Sequence, residues 1–306
     1  NNLIRNGVKF ITETNAKDVF LGEHHEIIGD VLGKDGLLDN EGVEKSFKED
    51  KVIVRSKNVN KNIETESFDH VICAVPSYEA ADLLSVYDVH DILTSISHVN
   101  MLSINVVLRS KSPLKGFGYL VPWNENKEKI YGCIFDSEAL PDQDSPKGMI
   151  NRFTIMAGSD QNYSSGQPDR YKGSEKTIYK PIEGELPIKG SADENAMKLA
   201  LDSLKNHLNI DEIPLTVQIV RHYGCIGQHE LGHYNKMYKL RKLMINGPLC
   251  NKVSLLHTSY QGIGVNASIQ NARELAEYLS TLGKNKDIKE VTGLEFTRSV
   301  YKLSTI

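Results

Sequence analysis

The apolar segment at residues 71–75 is the feature that most constrains how this chain can fold. Its side chains are apolar on both faces of a predicted strand, and the segment stops at Pro76. Such strands are typical of a parallel sheet covered by helices on both sides, and proline cannot continue a central strand. Ser77 then begins a predicted helix. The segment therefore predicts an α/β domain.

The last third of the chain also has a pattern that is typical of an α/β domain. Residues 252–257 read as a strand, residues 262–264 as a tight glycine loop, and the apolar stripe that follows as a helix. The stripe consists of Val265, Ile269, Ala272, Ala276 and Leu279. We predict that this strand, loop and helix close the α/β domain.

The middle of the chain has longer strands. Four segments predict an antiparallel sheet, and they span residues 103–108, 118–122, 129–135 and 153–157. The polar residues 158–192 predict a long loop, and Ser191 with Glu194 forms a capping box that opens a helix. The predicted fold class is therefore α/β with α+β character: half an α/β domain, an inserted antiparallel sheet with a helix, and a closing strand, loop and helix.

Composition excludes several classes of function. The net charge of -4 comes from 36 basic and 40 acidic residues that are interspersed, so no basic surface for nucleic acid is predicted. No apolar run approaches the roughly 18 to 20 residues of a membrane span. The four cysteines lie far apart, which argues against a disulfide framework and against a cysteine-rich zinc site.

A zinc-protease pattern occurs at His229, Glu230 and His233. In such sites two histidines one helical turn apart bind the metal, and the glutamate acts as general base. The glycines at 224 and 227 disfavour the helix that the pattern requires, and the next glutamate is Glu274, which is far away for a third ligand. We therefore predict no metal site and keep a zinc metalloprotease as an alternative.

Two glycine-containing segments suggest ligand contacts. Gly262, Gly264 and Ala267 follow a strand and open a helix, as in a dinucleotide fingerprint, but no further strand with a terminal acidic residue follows. The segment can instead present a helix N-terminus to a ligand. At residues 115–122, glycines beside aromatic and aliphatic residues suit a flat apolar ligand, with a bulged aromatic strand as the alternative.

Taken together, these segments resemble the protoporphyrinogen oxidase family, within the flavin amine-oxidase group. The resemblance covers most of residues 1–283 and rests on residues 69–76, 116–122, 135–137, 231–234 and 259–266. It implies a partial FAD/NAD(P)-binding Rossmann-like domain with an inserted substrate domain. The chain corresponds to the carboxy-terminal portion of the family pattern, without the N-terminal Rossmann unit, and we expect it not to retain FAD by itself.

The resemblance implies an oxygen-dependent oxidation of protoporphyrinogen IX to protoporphyrin IX in haem biosynthesis, with FAD as a non-covalent cofactor. The flavin would carry the redox chemistry, and the protein would orient the macrocycle. The residues implied in substrate binding are Gly118, Leu120, Ile134 and Met156. The residues implied in FAD binding are Tyr234, Ile263, Gly264, Val265 and Ala16.

The resemblance also implies a domain division and partners. Residues 1–88 and 246–283 would belong to the FAD-binding domain, residues 89–245 would form the substrate-binding domain, and residues 284–306 would be a C-terminal tail. The partners are protoporphyrinogen IX, molecular oxygen and a second copy in a homodimer. The location is the mitochondrial inner membrane, with peripheral association through parts not in this chain.

Two further functions remain open at this point besides the zinc metalloprotease. A flavin amine oxidase-like oxidoreductase would act on another substrate. A non-catalytic remnant would bind a tetrapyrrole without oxidising it. The central spatial expectation is that residues 116–122 and 260–266 face the same flat ring from different sides.

Overall fold

The computed structural model describes residues 8–9, 11–12, 14–21, 51–58, 60, 62–85, 87–125, 129–144, 150–158, 173–281 and 290–295. The strands are β1 Thr14–Leu21, β2 Val52–Asn58, β3 Ile63–Phe68, β4 Val71–Cys73, β5 His98–Leu108, β6 Gly118–Leu120, β7 Ile130–Phe135, β8 Asn151–Gly158, β9 Ser174–Tyr179, β10 Thr216–Gly227 and β11 Val253–Leu255. The helices are α1 Ser77–Leu83, α2 His90–Thr94, α3 Asp136–Ala139, α4 Ala192–Leu208, α5 His233–Asn246 and α6 Val265–Thr281. The mixed α/β fold class is confirmed.

The chain divides into two compact units. The first comprises residues 1–97 and 227–306, and the second comprises residues 98–226. These boundaries differ from the predicted ones at 88/89 and 245/246, because α2 and α5 supply Leu93, Met237, Leu240 and Met244 to the core of the first unit. The assignment of the two units to FAD and to substrate stays a prediction.

The first unit contains the parallel pair that the sequence predicts. In this pair β4 and β11 align Val71 with Val253 and Cys73 with Leu255. Both strands contribute to one apolar core, but Ile72 is 46% exposed, so β4 is not buried on both of its faces. A separate antiparallel sheet has the order β1-β2-β3.

Two predictions about the first unit need correction. The stripe of α6 does not form its inner face: Leu275 is the buried residue of this helix, and Val265 and Ile269 are exposed. Within the predicted tail, residues 291–295 pack against β11, where the Leu255 amide donates to the Thr292 carbonyl at 2.9 Å. Val291 and Leu294 are buried there. Sequence pattern alone missed both points because burial depends on which elements pack nearby.

The second unit is a six-stranded sheet in the order β6-β7-β8-β5-β10-β9. One face packs on α4, and the core between them includes Ile104, Phe153, Ile155, Ala200 and Leu204. The predicted capping box is present in part, since the Glu194 amide donates to Ser191 Oγ at 3.1 Å, and Glu194 accepts a hydrogen bond from the backbone of Gly190.

The predicted loop at residues 158–192 is wrong in its second half. Residues 159–172 lie outside the described part of the chain, but β9 follows them and pairs antiparallel with β10. The polar composition concealed this strand because β9 is an edge strand with alternate side chains exposed. Among the described helices, none is long and apolar enough to cross a membrane.

Candidate functional site

The four residues predicted to contact the substrate lie on one face of the second unit's sheet. Gly118 pairs with Ile134, while Leu120 pairs with Gly132 and Gly132 with Met156. Directly paired residues point to the same face. This face is opposite to the one that packs on α4, and Leu120 is 82% exposed on it. We call the surface formed by Gly118, Leu120, Gly132, Ile134 and Met156 the open face.

Two glycines keep the centre of the open face flat. A Cβ atom at Gly118 would lie 2.2 Å from the Cys133 carbonyl oxygen, and one at Gly132 would lie 2.2 Å from the Tyr119 carbonyl oxygen. Gly118 also has a φ of 152°. Neither position can hold a side chain without moving a strand. The sequence reasoning missed Gly132, although a glycine inside a strand is itself a sign of close backbone approach.

A line of polar side chains runs across three strands, β10, β5 and β8, to the start of α3 beside these residues, and the sequence reasoning missed it. The Thr154 hydroxyl lies 2.7 Å from Asn105 Oδ1 and 2.7 Å from Asp136 Oδ2. Asn105 and Gln218 are joined through their amides at 3.1 Å. Thr154 pairs with both Asn105 and Ile134, so the line lies on the open-face side of the sheet.

The histidine pattern does not have the geometry of a zinc protease. His229 precedes α5, which begins only at His233, so the two histidines are not one turn apart on a helix. Their rings stack at 4.0 Å between centroids, and their Nε2 atoms lie 3.0 and 2.9 Å from the backbone carbonyls of Thr258 and Tyr260. Burial lowers the pKa of His233. In the described part of the chain, no group of three or more potential ligands could hold a metal.

The predicted FAD contacts lie in the first unit. Ile263 and Gly264 lie in the exposed turn before α6, Val265 is the exposed first residue of that helix, and the predicted order of strand, loop and helix is present. Tyr234 lies in the first turn of α5, next to His233. His233 forms a hydrogen bond with the carbonyl of Tyr260, which precedes the turn before α6. Ala16 lies opposite Ser56 in a different sheet. Its assignment to FAD stays a prediction.

A cavity of about 200 Å³ lies at the carboxyl end of β11. It is lined by Leu256, His257, Thr258, Gln261, Ser268 and Asn271. The carboxyl ends of parallel strands beside a helix N-terminus are the usual place for nucleotides. The lining supplies hydroxyl, amide and imidazole groups, which suit the hydrogen-bonding groups of part of a dinucleotide. None of the residues predicted to bind FAD is among these lining residues.

The open face and the turn before α6 belong to different units. The expectation that residues 116–122 and 260–266 face one ring therefore stays a prediction.

Comparisons with known proteins support the resemblance stated above. Protoporphyrinogen oxidase of Homo sapiens is 28% identical over 219 residues, which is 70% of this chain and 40% of the human protein. Protoporphyrinogen oxidase of Dictyostelium discoideum is 22% identical over 288 residues, which is 88% of this chain and 53% of that protein. The chain thus spans about half or less of the curated relatives that it matches. No model of a known protein family matches it.

A solved structure has the same kind of fold. It is a protein of Exiguobacterium sp. 255-15 that is provisionally described as a protoporphyrinogen oxidase, with a TM-score of 0.52 and 16% identity. The match covers 76% of this chain and 44% of that one. The human and Dictyostelium relatives confirm the predicted resemblance to protoporphyrinogen oxidase, and the solved structure supports the fold alone.

Proposed function

We propose that this chain is part of an FAD-dependent oxidase that converts protoporphyrinogen IX to protoporphyrin IX with molecular oxygen as electron acceptor. The observation that carries the proposal is the open face, where Gly118, Leu120, Ile134 and Met156 come together from three neighbouring strands. These residues are far apart in the sequence. Their assembly on one surface is what a shared ligand requires.

The shape of the open face favours a flat ligand. Four strands, β6 to β8 with β5, span about 14 Å at about 4.8 Å per strand. The two central glycines leave bare backbone between Leu120, Ile134 and Met156, so a ring system can lie on the strands with aliphatic side chains around it. The polar line through Thr154 limits the apolar area on one side.

The first unit would supply part of the FAD site. FAD, when bound, supplies the redox chemistry. The N-terminus of α6 carries a partial positive charge of roughly half an elementary charge, which favours a negatively charged group near the turn at Ile263, Gly264 and Val265. The polar lining of the cavity beside β11 fits part of a dinucleotide. Homodimer formation and association with the mitochondrial inner membrane are further parts of this proposal.

Binding of protoporphyrin IX to the 306-residue chain tests the open face. Trp123 is the single tryptophan and follows β6 closely, so quenching of its fluorescence reports binding nearby. We expect Leu120→Asp to weaken binding by more than tenfold, which is about 1.4 kcal/mol, because a charge would lie against the apolar ring.

The matched control is Ile188→Asp, since Ile188 and Leu120 are both 82% exposed. Ile188 lies outside the strands of the open face, and we expect this variant to bind like the wild type. Equal loss of affinity in both variants, or equal binding by Leu120→Asp and the wild type, would contradict a site on the open face.

A further inference from the structure

The polar line on the open face ends at the carboxylate of Asp136, which can accept further hydrogen bonds. Asp136 Oδ2 lies 2.7 Å from the Thr154 hydroxyl, and Asp136 is half-buried at the start of α3. Within the part of the chain that the structure describes, Asp136 has no ion-pair partner, and its Oδ1 atom makes no hydrogen bond. The nearby Asp144 differs, because Arg152 Nε pairs with it at 2.6 Å.

The contacts of Thr154 determine the direction of the hydrogen bonds in this line. A hydroxyl carries one proton, so Thr154 cannot donate both to Asn105 Oδ1 and to Asp136. Exchanging the amide oxygen and nitrogen in the side chains of Asn105 and Gln218 gives each contact of the line one donor and one acceptor, and the hydrogen-bond network favours this orientation. The donors then run from Gln218 to Asn105, from Asn105 to Thr154, and from Thr154 to the carboxylate.

Such a line orients the carboxylate toward the open face. Every donor points to the acid, and the bonds in a chain of this kind strengthen one another. Asp136 is the first residue of α3, directly after β7, and its contact with Thr154 places the carboxylate on the open-face side of the sheet. A carboxylate has about four acceptor positions, and Thr154 uses one of them.

We propose that Asp136 binds the pyrrole N–H groups of a tetrapyrrole in the porphyrinogen state, as the polar anchor of the open face. The inference rests on the proposed function and adds a positioning residue to it. A porphyrinogen presents four N–H donors and apolar carbon bridges, and the open face offers one acidic acceptor beside aliphatic side chains. The same charge repels the ligand's own carboxylates, so these groups point away from Asp136.

Calorimetric titration under argon tests this anchor. The two probes are protoporphyrinogen IX, which has four N–H groups, and nickel(II) protoporphyrin IX, which has none. We expect Asp136→Asn to weaken binding of the porphyrinogen about tenfold, which is about 1.4 kcal/mol, because a neutral acceptor replaces a charged one. Binding of the nickel complex is expected to stay within twofold of the wild type.

Two further variants keep the result interpretable. Thr154→Val removes the hydroxyl that orients the acid, and we expect about a threefold loss for the porphyrinogen alone. Asp142→Asn changes an exposed carboxylate after α3 and is expected to leave both affinities unchanged. If Asp136→Asn binds the porphyrinogen as the wild type does, or loses both probes equally, the anchor is overturned and the proposed function stands. If the wild type binds neither probe, the proposed function fails and the anchor fails with it.

Discussion

The open face and the turn at residues 262–265 differ in what fixes their positions. The open face lies on a sheet whose opposite side packs on α4, and its strands are joined by regular pairing. The turn precedes α6, a helix in which Leu275 is the buried residue while Val265 is 77% and Ile269 57% exposed. The two surfaces are thus supported by very different amounts of buried structure.

This difference in buried support determines how well each surface keeps its shape without a ligand. A face whose backbone is fixed by strand pairing and by a core keeps its shape without a ligand. A turn with little buried support relies on individual bonds, and here these include the contacts of His229 and His233 with the Thr258 and Tyr260 carbonyls. Substitutions should therefore affect stability most at the open face and least on the exposed stripe of α6.

The largest effect is expected at Gly132. In Gly132→Ala the new Cβ atom would lie 2.2 Å from the Tyr119 carbonyl oxygen, so β6 and β7 must move apart. We expect the free energy of unfolding to fall by roughly 3 kcal/mol, as measured by urea unfolding followed through Trp123 fluorescence. The control is Gly190→Ala, where no atom lies within 4 Å of the added Cβ and the positive φ of 77° accounts for roughly 1 kcal/mol. Equal losses in the two variants would show that strand crowding does not shape the face.

A smaller effect is expected at His233. His233→Ala removes the partner of the Tyr260 carbonyl, and we expect a loss of roughly 2 kcal/mol in the free energy of unfolding. His233→Gln keeps an N–H donor and should lose less. Urea unfolding at pH 7.5 measures both variants, and an alanine variant as stable as the wild type would show that the turn is held by other contacts.

The pH dependence of the free energy of unfolding also tests how much His233 contributes to holding the turn. Burial lowers the pKa of His233, so its neutral form is favoured in the folded chain. As the pH falls below about 6.5, the unfolded chain takes up a proton that the folded chain resists, and the folded state loses stability. Burial also lowers the pKa of His70, which contributes in the same direction. We expect a weaker loss between pH 7.5 and 5.5 in His233→Gln than in the wild type.

The smallest effect is expected on the exposed stripe of α6. Ile269→Gln should change the free energy of unfolding by less than about 0.5 kcal/mol, because the side chain is mostly in solvent. The control is Leu275→Ala on the same helix, which removes a buried side chain and should lower stability measurably. A large loss from Ile269→Gln would mean that the stripe is packed, and that the turn is as well supported as the open face.

The sequence by itself determined the local elements and part of the site. The apolar run before Pro76 predicted β4, the Ser191 capping signal predicted α4, and the glycine loop predicted the start of α6. These signals are local, because hydrophobic period, capping and turn chemistry involve residues close together in the chain. The residues predicted to bind the substrate came from the family resemblance; the structure brings them onto one surface, and their role in binding stays a prediction.

Only the tertiary structure decided which residues meet. Asn105 and Thr154 are 49 positions apart, and β5 and β8 bring them together through strand register. The burial of residues 291–295 and the exposure of the α6 stripe depend on which elements pack beside them. No local pattern contains such information, because register and packing are set by pairings between distant segments, and a shift of one residue would turn each side chain to the other face.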